Sequence, residues 1–311
     1  MSRSAVRLVT FVVASVTLFV IGTSSSAEGS ADPAARGDEG PPRDARLASI
    51  APKTSVTAPL PAAGGCPENM VEVEGDYCPW VEQQCLRWLD PETKMRCAEF
   101  APTQCATRTT RKHFCIDRYE WPNKPGDKPQ IFVSWHQAQT SCASQGKRLC
   151  GDSEWTLACE GQERLPYPYG YARNADACNI DKPYLSPDER AIGNPATRDA
   201  ELTRLDQREL SGTREACVSP FGVHDMTGNV DEWVVNESGH PYKSGLKGGY
   251  WGPVRTRCRP MTTAHDENFA FYQVGFRCCS DAGGAAPAQG GAKGNANAAA
   301  PAPRAALLAG S

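Results

Sequence analysis

The sequence predicts one loop-rich α+β domain stapled by disulfides, and three observations carry that reading. All fourteen cysteines and all seven tryptophans fall between residues 66 and 280, so cross-linking and core-forming residues share one block. Within it, two short stretches have helical apolar spacing, while the other apolar runs are brief and bounded by Gly, Pro, Asn and Asp. An even number of cysteines behind an export-type N-terminus points to an oxidising compartment in which seven bridges are possible.

The export signal is read over residues 1–27. Arg3 and Arg7 precede an apolar run from Leu8 to Ile21, and Gly22-Thr23-Ser24-Ser25-Ser26-Ala27 supplies a small-residue exit. The run is short for a membrane span, so the expected location is secreted or periplasmic, within the cell envelope, with a retained anchor as the alternative. No cysteine precedes Cys66, which argues against lipid modification at the cleavage site. Residues 28–65 are rich in Ala, Pro and Ser and read as a disordered linker; residues 281–311 read as an Ala/Gly/Pro tail. The domain is therefore 66–280, opening with a Cys-rich segment over 66–113. A net charge of −3 gives no reason to expect nucleic acid or an anionic membrane as partner. The absence of Cys-x-x-Cys argues against a zinc ribbon or a thioredoxin-like centre.

Taken in order, Met70, Val71 and Val73 predict a short strand ended by Gly75-Asp76. Cys78, Cys85, Cys97, Cys105 and Cys115 then mark an insertion whose bridge pattern spacing alone leaves open. Phe114–Glu120 and Ile131–Trp135 read as strand ends. Ser134 with Gln137 forms a capping box, Trp135, Ala138 and Cys142 share a helical face, and Gly146 stops that helix. A second helix is expected over Asp152–Cys159, with Trp155, Ala158 and Cys159 inward and Gly161 after it. Residues 162–220 read as loops. Lys247–Trp251 and Val274–Cys279 supply the last strands.

Chemistry concentrates in Phe221–Trp233. Asp225, Asn229, Asp231 and Glu232 lie close together around Gly228, which bends the backbone, and oxygen donors this dense suit a hard cation; a polar turn before a strand is the plain alternative. The histidines, His113, His136, His224, His240 and His265, show no helical pairing and read as loop positions rather than metal ligands. Gly151-Asp152-Ser153 reads as a helix start and not as a hydrolase elbow.

The motifs Val133-Ser134-Trp135, Gly146-Lys147-Arg148-Leu149, Glu154-Trp155, Asp225-Met226-Thr227-Gly228-Asn229, Glu232-Trp233, Lys247-Gly248-Gly249 and Gly275-Phe276-Arg277 occur in an order that resembles the formylglycine-generating enzyme family, or sulfatase-modifying factors. The likeness covers about 114–279, with Met70–Tyr77 similar to the family's opening strand. It implies a C-type-lectin-like fold and structural calcium. One ion would take the side chains of Asp225 and Glu232 and the carbonyls of Gly228 and Val230; a second would use Asn179 and Ile180. It also implies the disulfides Cys142–Cys278 and Cys159–Cys258, with Cys279 as the competitor for Cys142.

The resemblance fails at the chemistry. Active members hold copper(I) between two thiolates of a Cys-x₄-Cys just after a Gly-Gly-Ser, whereas here Gly248-Gly249 is followed by Tyr250 and no cysteine occurs before Cys258. Asp231 stands where the family has tryptophan. A sulfoxide-forming branch takes iron ligands from a histidine-rich partner domain that these histidines do not resemble. Copper is therefore not expected. The reading is an exported, non-oxidising, calcium-stabilised module that binds a peptide or glycan. The alternative is an oxidoreductase of the formylglycine-generating or non-haem iron superfamily acting through other residues. The candidate ligand surface is Asp231, Tyr250, Trp251, Arg255, Arg257 and His265, and its convergence on a concave site is the feature that separates the readings.

Overall fold

A computed structural model describes residues 65–283. The expected signal, the linker up to residue 64 and the tail from 284 lie outside the described residues. β1 (Met70–Tyr77) leads into an excursion of four short strands, β2 (Val81–Glu82), β3 (Cys85–Trp88), β4 (Cys97–Phe100) and β5 (Gln104–Cys105). β6 (Thr110–Asp117) then returns antiparallel to β1, in register from Met70 opposite Asp117 to Tyr77 opposite Thr110. β1 thus runs through Gly75 and Asp76, where the sequence predicts an end. Gly75 stays in the strand through its pairing opposite Lys112, and the Gln162 side chain fills the space a Cβ there would need.

The excursion is two ribbons, β2 with β5 and β3 with β4. Its two bridges close on themselves, Cys78–Cys105 at the base and Cys85–Cys97 across the outer ribbon, while Cys66–Cys115 outside it ties the domain's first residues to β6. It docks on 163–181 by backbone bonds from Phe100 N to Tyr171 O and from Arg173 N to Ala98 O.

α1 (Trp135–Ser144) begins at the capping box, with Ser134 Oγ accepting from Gln137 N and Gln137 Oε1 accepting from Ser134 N. Trp135, Ala138 and Cys142 are its buried face, and Gly146, at φ 68°, follows the C-cap. The preceding Ile131–Val133 is not the predicted strand end: Phe132 has φ 59°, and Val133 O accepts from Trp233 Nε1 instead of joining a ladder. β7 (Arg148–Leu149) precedes α2 (Asp152–Glu160), which is buried on nearly every side; only Asp152 and Glu154 are partly exposed. The 162–220 region is loop-rich but also holds α3 (Glu189–Gly193) and α4 (Arg198–Leu205), which the sequence reading missed. Both are short and polar, and bury Ile192 and Leu205 against Val230, Trp251 and Tyr272.

β8 (Asp231–Val235), β9 (Ser244–Lys247) and β10 (Met261–Thr262) form an antiparallel run, and β11 (Val274–Phe276) adds to β8 in parallel. β9 stops at Lys247 and not at Trp251, because Gly248 (φ 88°) and Gly249 (φ 72°) turn the chain. The final apolar run is likewise two strands. β12 (Cys278–Asp281) pairs with β6 and β7, so the sheets are β1-β6-β12-β7 and β10-β9-β8-β11. One residue, Arg277, separates β11 from β12, and the chain crosses between sheets there.

α1 and the chain entering α2 are pinned to this crossing, and α2 itself is tied further back. Cys142 of α1 bonds Cys278, Cys150 bonds Cys279, and Cys159 of α2 bonds Cys258; Cys178–Cys217 ties the long loop. Among the described residues no helix is long and apolar enough to cross a membrane.

At the crossing, Arg277 and Glu232 are 0% and 1% exposed and make a bidentate pair at 2.6 and 2.7 Å. Trp155 Nε1 donates to the same carboxylate at 2.8 Å, and Arg277 Nη2 donates to His224 O. Breaking such a pair leaves a buried charge uncompensated. Arg277→Met should therefore lose about 3–5 kcal/mol of stability in denaturant titration of the oxidised protein. A loss below about 1 kcal/mol would show that the pair is not what joins the sheets.

Candidate functional site

Two features occupy the region that the sequence singles out. The first is the buried turn 221–233. Asp225 (φ 57°), Gly228 (φ 84°) and Asn229 (φ 54°) all lie in the left-handed region, so the chain folds back on itself before β8. Only glycine serves at 228: a Cβ there would lie 2.3 Å from Asn179 O, and Gly228 N donates to Gly248 O. The turn is acidic inside. Asp225 Oδ2 accepts from Gly212 N at 2.7 Å, and burial pushes its carboxyl up to about 6. Glu120 accepts from Asn229 Nδ2, Val230 N and Ser211 Oγ. Burial, then the charges of Asp225 and Glu232, hold it well above the usual carboxylate range. Three buried carboxyls thus face one guanidinium.

The residues available for calcium are oxygen donors with capacity to spare. Among the described residues, no hydrogen bond reaches the carbonyl oxygens of Gly228 and Val230 or Oδ1 of Asp225, and Glu232 Oε1 accepts only from Arg277. Asn179 Oδ1 is buried without a partner, while its Nδ2 donates to Gln207 O and Asn229 Oδ1. No group of three His, Cys, Asp or Glu side chains gathers in metal-holding geometry among the described residues. A cation at the turn would draw on two carboxylates and two carbonyls, and one at the second locus on the Asn179 amide oxygen; such donors suit calcium and no softer ion.

The second feature is a cleft of about 270 Å³ between the turn after β9 and the excursion. It brings together four of the six candidate surface residues: Asp231, Tyr250, Arg255 and His265. The other two lie elsewhere. After Gly249 the chain turns inward, so Trp251 is 1% exposed in the cluster with Ile192 and Leu205. Arg257 is half-buried with its guanidinium 5.2 Å from the Phe100 ring. Asp231 opens β8 at the cleft floor, where Oδ1 accepts from Gly249 N at 3.2 Å. Burial pushes its carboxyl up to about 7, against the pull of that bond and of Arg255. His265 stacks on Phe269 at 3.8 Å, and burial lowers its basicity.

Of the remaining histidines, His113 contacts Glu72 and His224 stacks on Tyr119. Ser153 lies within α2, with its backbone N–H donating to Glu237.

Sequence reasoning missed Met95 and Gln273 in the cleft and Glu120 in the buried cluster. Met95 comes from the excursion, and nothing in its neighbours announces that it folds back over the site. Glu120 carried a readable signal, a second acid three residues after the Asp117 that ends β6.

A family model described as a sulfatase-modifying factor enzyme 1-like domain matches residues 71–282. The chain belongs to this family. The inactive C-alpha-formylglycine-generating enzyme 2 of Bos taurus is 26% identical over 194 residues, 54% of this chain and 58% of that protein. The formylglycine-generating enzyme of Bos taurus is also 26% identical, over 179 residues, 50% of this chain and 44% of that protein. The chain spans about half the length of these curated relatives. Relatives named active and inactive match equally well, so the residues of the cleft must decide between them. Among solved structures, CarF is similar over 69% of this chain and 98% of its own, at 16% identity and a TM-score of 0.45. PvdO from Pseudomonas aeruginosa is similar over 68% and 94%, at 17% identity and a TM-score of 0.39.

The turn's dependence on close approach is measurable with two alanines. Gly126 (φ 78°) has nothing within 4 Å of a built Cβ, whereas Gly228 meets Asn179 O. Both substitutions should cost about 1–3 kcal/mol for the left-handed backbone, and Gly228→Ala should cost clearly more. Equal losses in thermal or chemical unfolding would show that the turn is not held against Asn179.

Proposed function

We propose that the protein is an exported, non-oxidising member of the sulfatase-modifying factor family, C-type-lectin-like in architecture and calcium-stabilised, whose cleft binds a peptide. The observation that carries this reading is the state of the cysteines. All fourteen are in disulfides, and none lines the cleft. Copper(I) needs soft thiolate donors, and a disulfide sulfur is not a thiolate. Where the family's chemistry would take place, this chain instead offers an acid, an arginine and an aromatic wall. A carboxyl on the floor and an exposed guanidinium at the rim suit a charged peptide better than a neutral sugar, which would use neither charge. An oxidising enzyme that uses other residues would need a redox centre that these side chains do not resemble.

Calcium enters the reading through Asp225, Glu232 and the carbonyls of Gly228 and Val230, with Asn179 and Ile180 as a second locus. Bound there, it would supply positive charge among Glu120, Asp225 and Glu232, which share one arginine. The chain's own part is to hold these oxygens in place through the Gly228 bend and the Arg277 pair.

Two outcomes are expected. Excess chelator should lower the melting temperature, because an ion that binds only the folded state stabilises it, and added calcium should restore it. An unmoved melting curve, with no calcium found by metal analysis of the purified protein, would overturn the calcium reading. A cysteine-containing sulfatase-type peptide incubated with the protein, copper(I) and oxygen should keep its thiol. Gain of an aldehyde by mass spectrometry would show that the family's oxidation survives without its cysteine pair.

A further inference from the structure

The cleft's unused hydrogen-bonding groups define its ligand more closely, an inference that rests on the peptide reading above. Two residues that line the cleft carry acceptors without donors. Asp231 receives a bond at Oδ1 from Gly249 N, and among the described residues nothing donates to its Oδ2. Gln273 Oε1 is buried with no partner. The two residues are neighbours across the ladder, since Asp231 N donates to Gln273 O at 2.9 Å, so both acceptors belong to one end of the cleft. Gln273 Oε1 is a buried acceptor left without a donor, at a cost of about 1–3 kcal/mol, which a ligand N–H recovers once the side-chain amide turns toward the cleft. Arg255 is exposed, lines the same cleft and makes no ion pair among the described residues. Met95 and Val254 supply apolar wall between these polar groups.

We propose that the cleft selects a peptide by a free primary ammonium, taken by Asp231 and Gln273, with a carboxylate of the same peptide reaching Arg255. An ammonium carries three donors and no acceptor, so it satisfies both oxygens at once and offsets the aspartate's charge. A hydroxyl brings one donor and no charge. The aliphatic stem of a lysine, or the first Cα of a peptide chain, lies against Met95, as apolar stems of charged side chains do. The ammonium therefore comes from a lysine side chain or from a peptide N-terminus.

The test uses the full chain and isothermal titration. A hexapeptide library captured on the immobilised protein supplies binders, which are then synthesised in four forms: unmodified, lysine-acetylated, N-terminally acetylated and amidated at the carboxylates. Acetylating one of the two amines should weaken binding about tenfold or more, since bonds to charged groups contribute most, and which amine responds identifies the source. Asp231→Asn should bring the acetylated and free peptides to within about twofold, and Arg255→Met should remove the penalty for amidation. Peptides that bind equally well with every amine acetylated would overturn the ammonium proposal and leave the peptide reading standing. Failure of any library peptide to bind would overturn both. The acetylation comparison needs only the unaltered protein, so a variant that does not fold leaves the proposal open to refutation.

Discussion

The fold depends on one buried ion pair. Arg277 lies where the chain passes from one sheet to the other, and among the described residues its only anionic partner at bonding distance, Glu232, belongs to the strand beside β11. The pair therefore fixes the relation of the two sheets at the point where no ladder can. The motifs that carry the family resemblance are tied to it and to one another. Trp155 donates to Glu232, Glu154 receives both arms of Arg148, Lys147 reaches Asp117, and Asp117 Oδ2 accepts from Cys278 N. Residues far apart in sequence thus meet as hydrogen-bond partners, buried around Arg277 and Asp117 and half-exposed at Arg148. In a low-dielectric interior such a network holds only if each member is satisfied.

The legible parts of the sequence were those governed by local chemistry. The capping box at Ser134, the inward Trp135, Ala138 and Cys142, and the glycine stops after both helices are short-range signals, and each is found where it was read. The boundaries that were misread depend on distant partners. β1 continues past Gly75 because β6 and Gln162 lie alongside it. The last apolar run divides at Arg277 because the two halves serve different sheets, and nothing in Val274–Cys279 signals a division. α3 and α4 were hidden because their apolar residues are few and face a core built mostly by other segments.

The site was half legible for the same reason. Asp231, Tyr250, Arg255 and His265 were singled out and share the cleft. Trp251 is next to Tyr250 in sequence yet points into the core, since the two positive-φ glycines set the direction in which the following side chains leave the turn. Met95 and Gln273 reach the cleft from segments whose approach no local pattern records. Asp231 stands out on both counts. It stands where the resemblance leads one to expect tryptophan, and it is the one acid among the described residues that line the cleft.

The excursion between β1 and β6 has a consequence of a different kind. Its cross-links, Cys78–Cys105 and Cys85–Cys97, join residues of the excursion only to one another, while both ends leave a single strand pair. Such a segment is topologically a handle. Its inner face is held by Ala98 and Phe100 against the 163–181 segment, but its outer face can change without altering the sheet crossing. Because the handle also brings Met95 to the cleft, variation confined to it would alter the cavity wall while the load of folding stays with the rest of the domain. One wall of the cavity is in this way open to variation on the exposed side of the handle, while its floor is held by the sheet beneath.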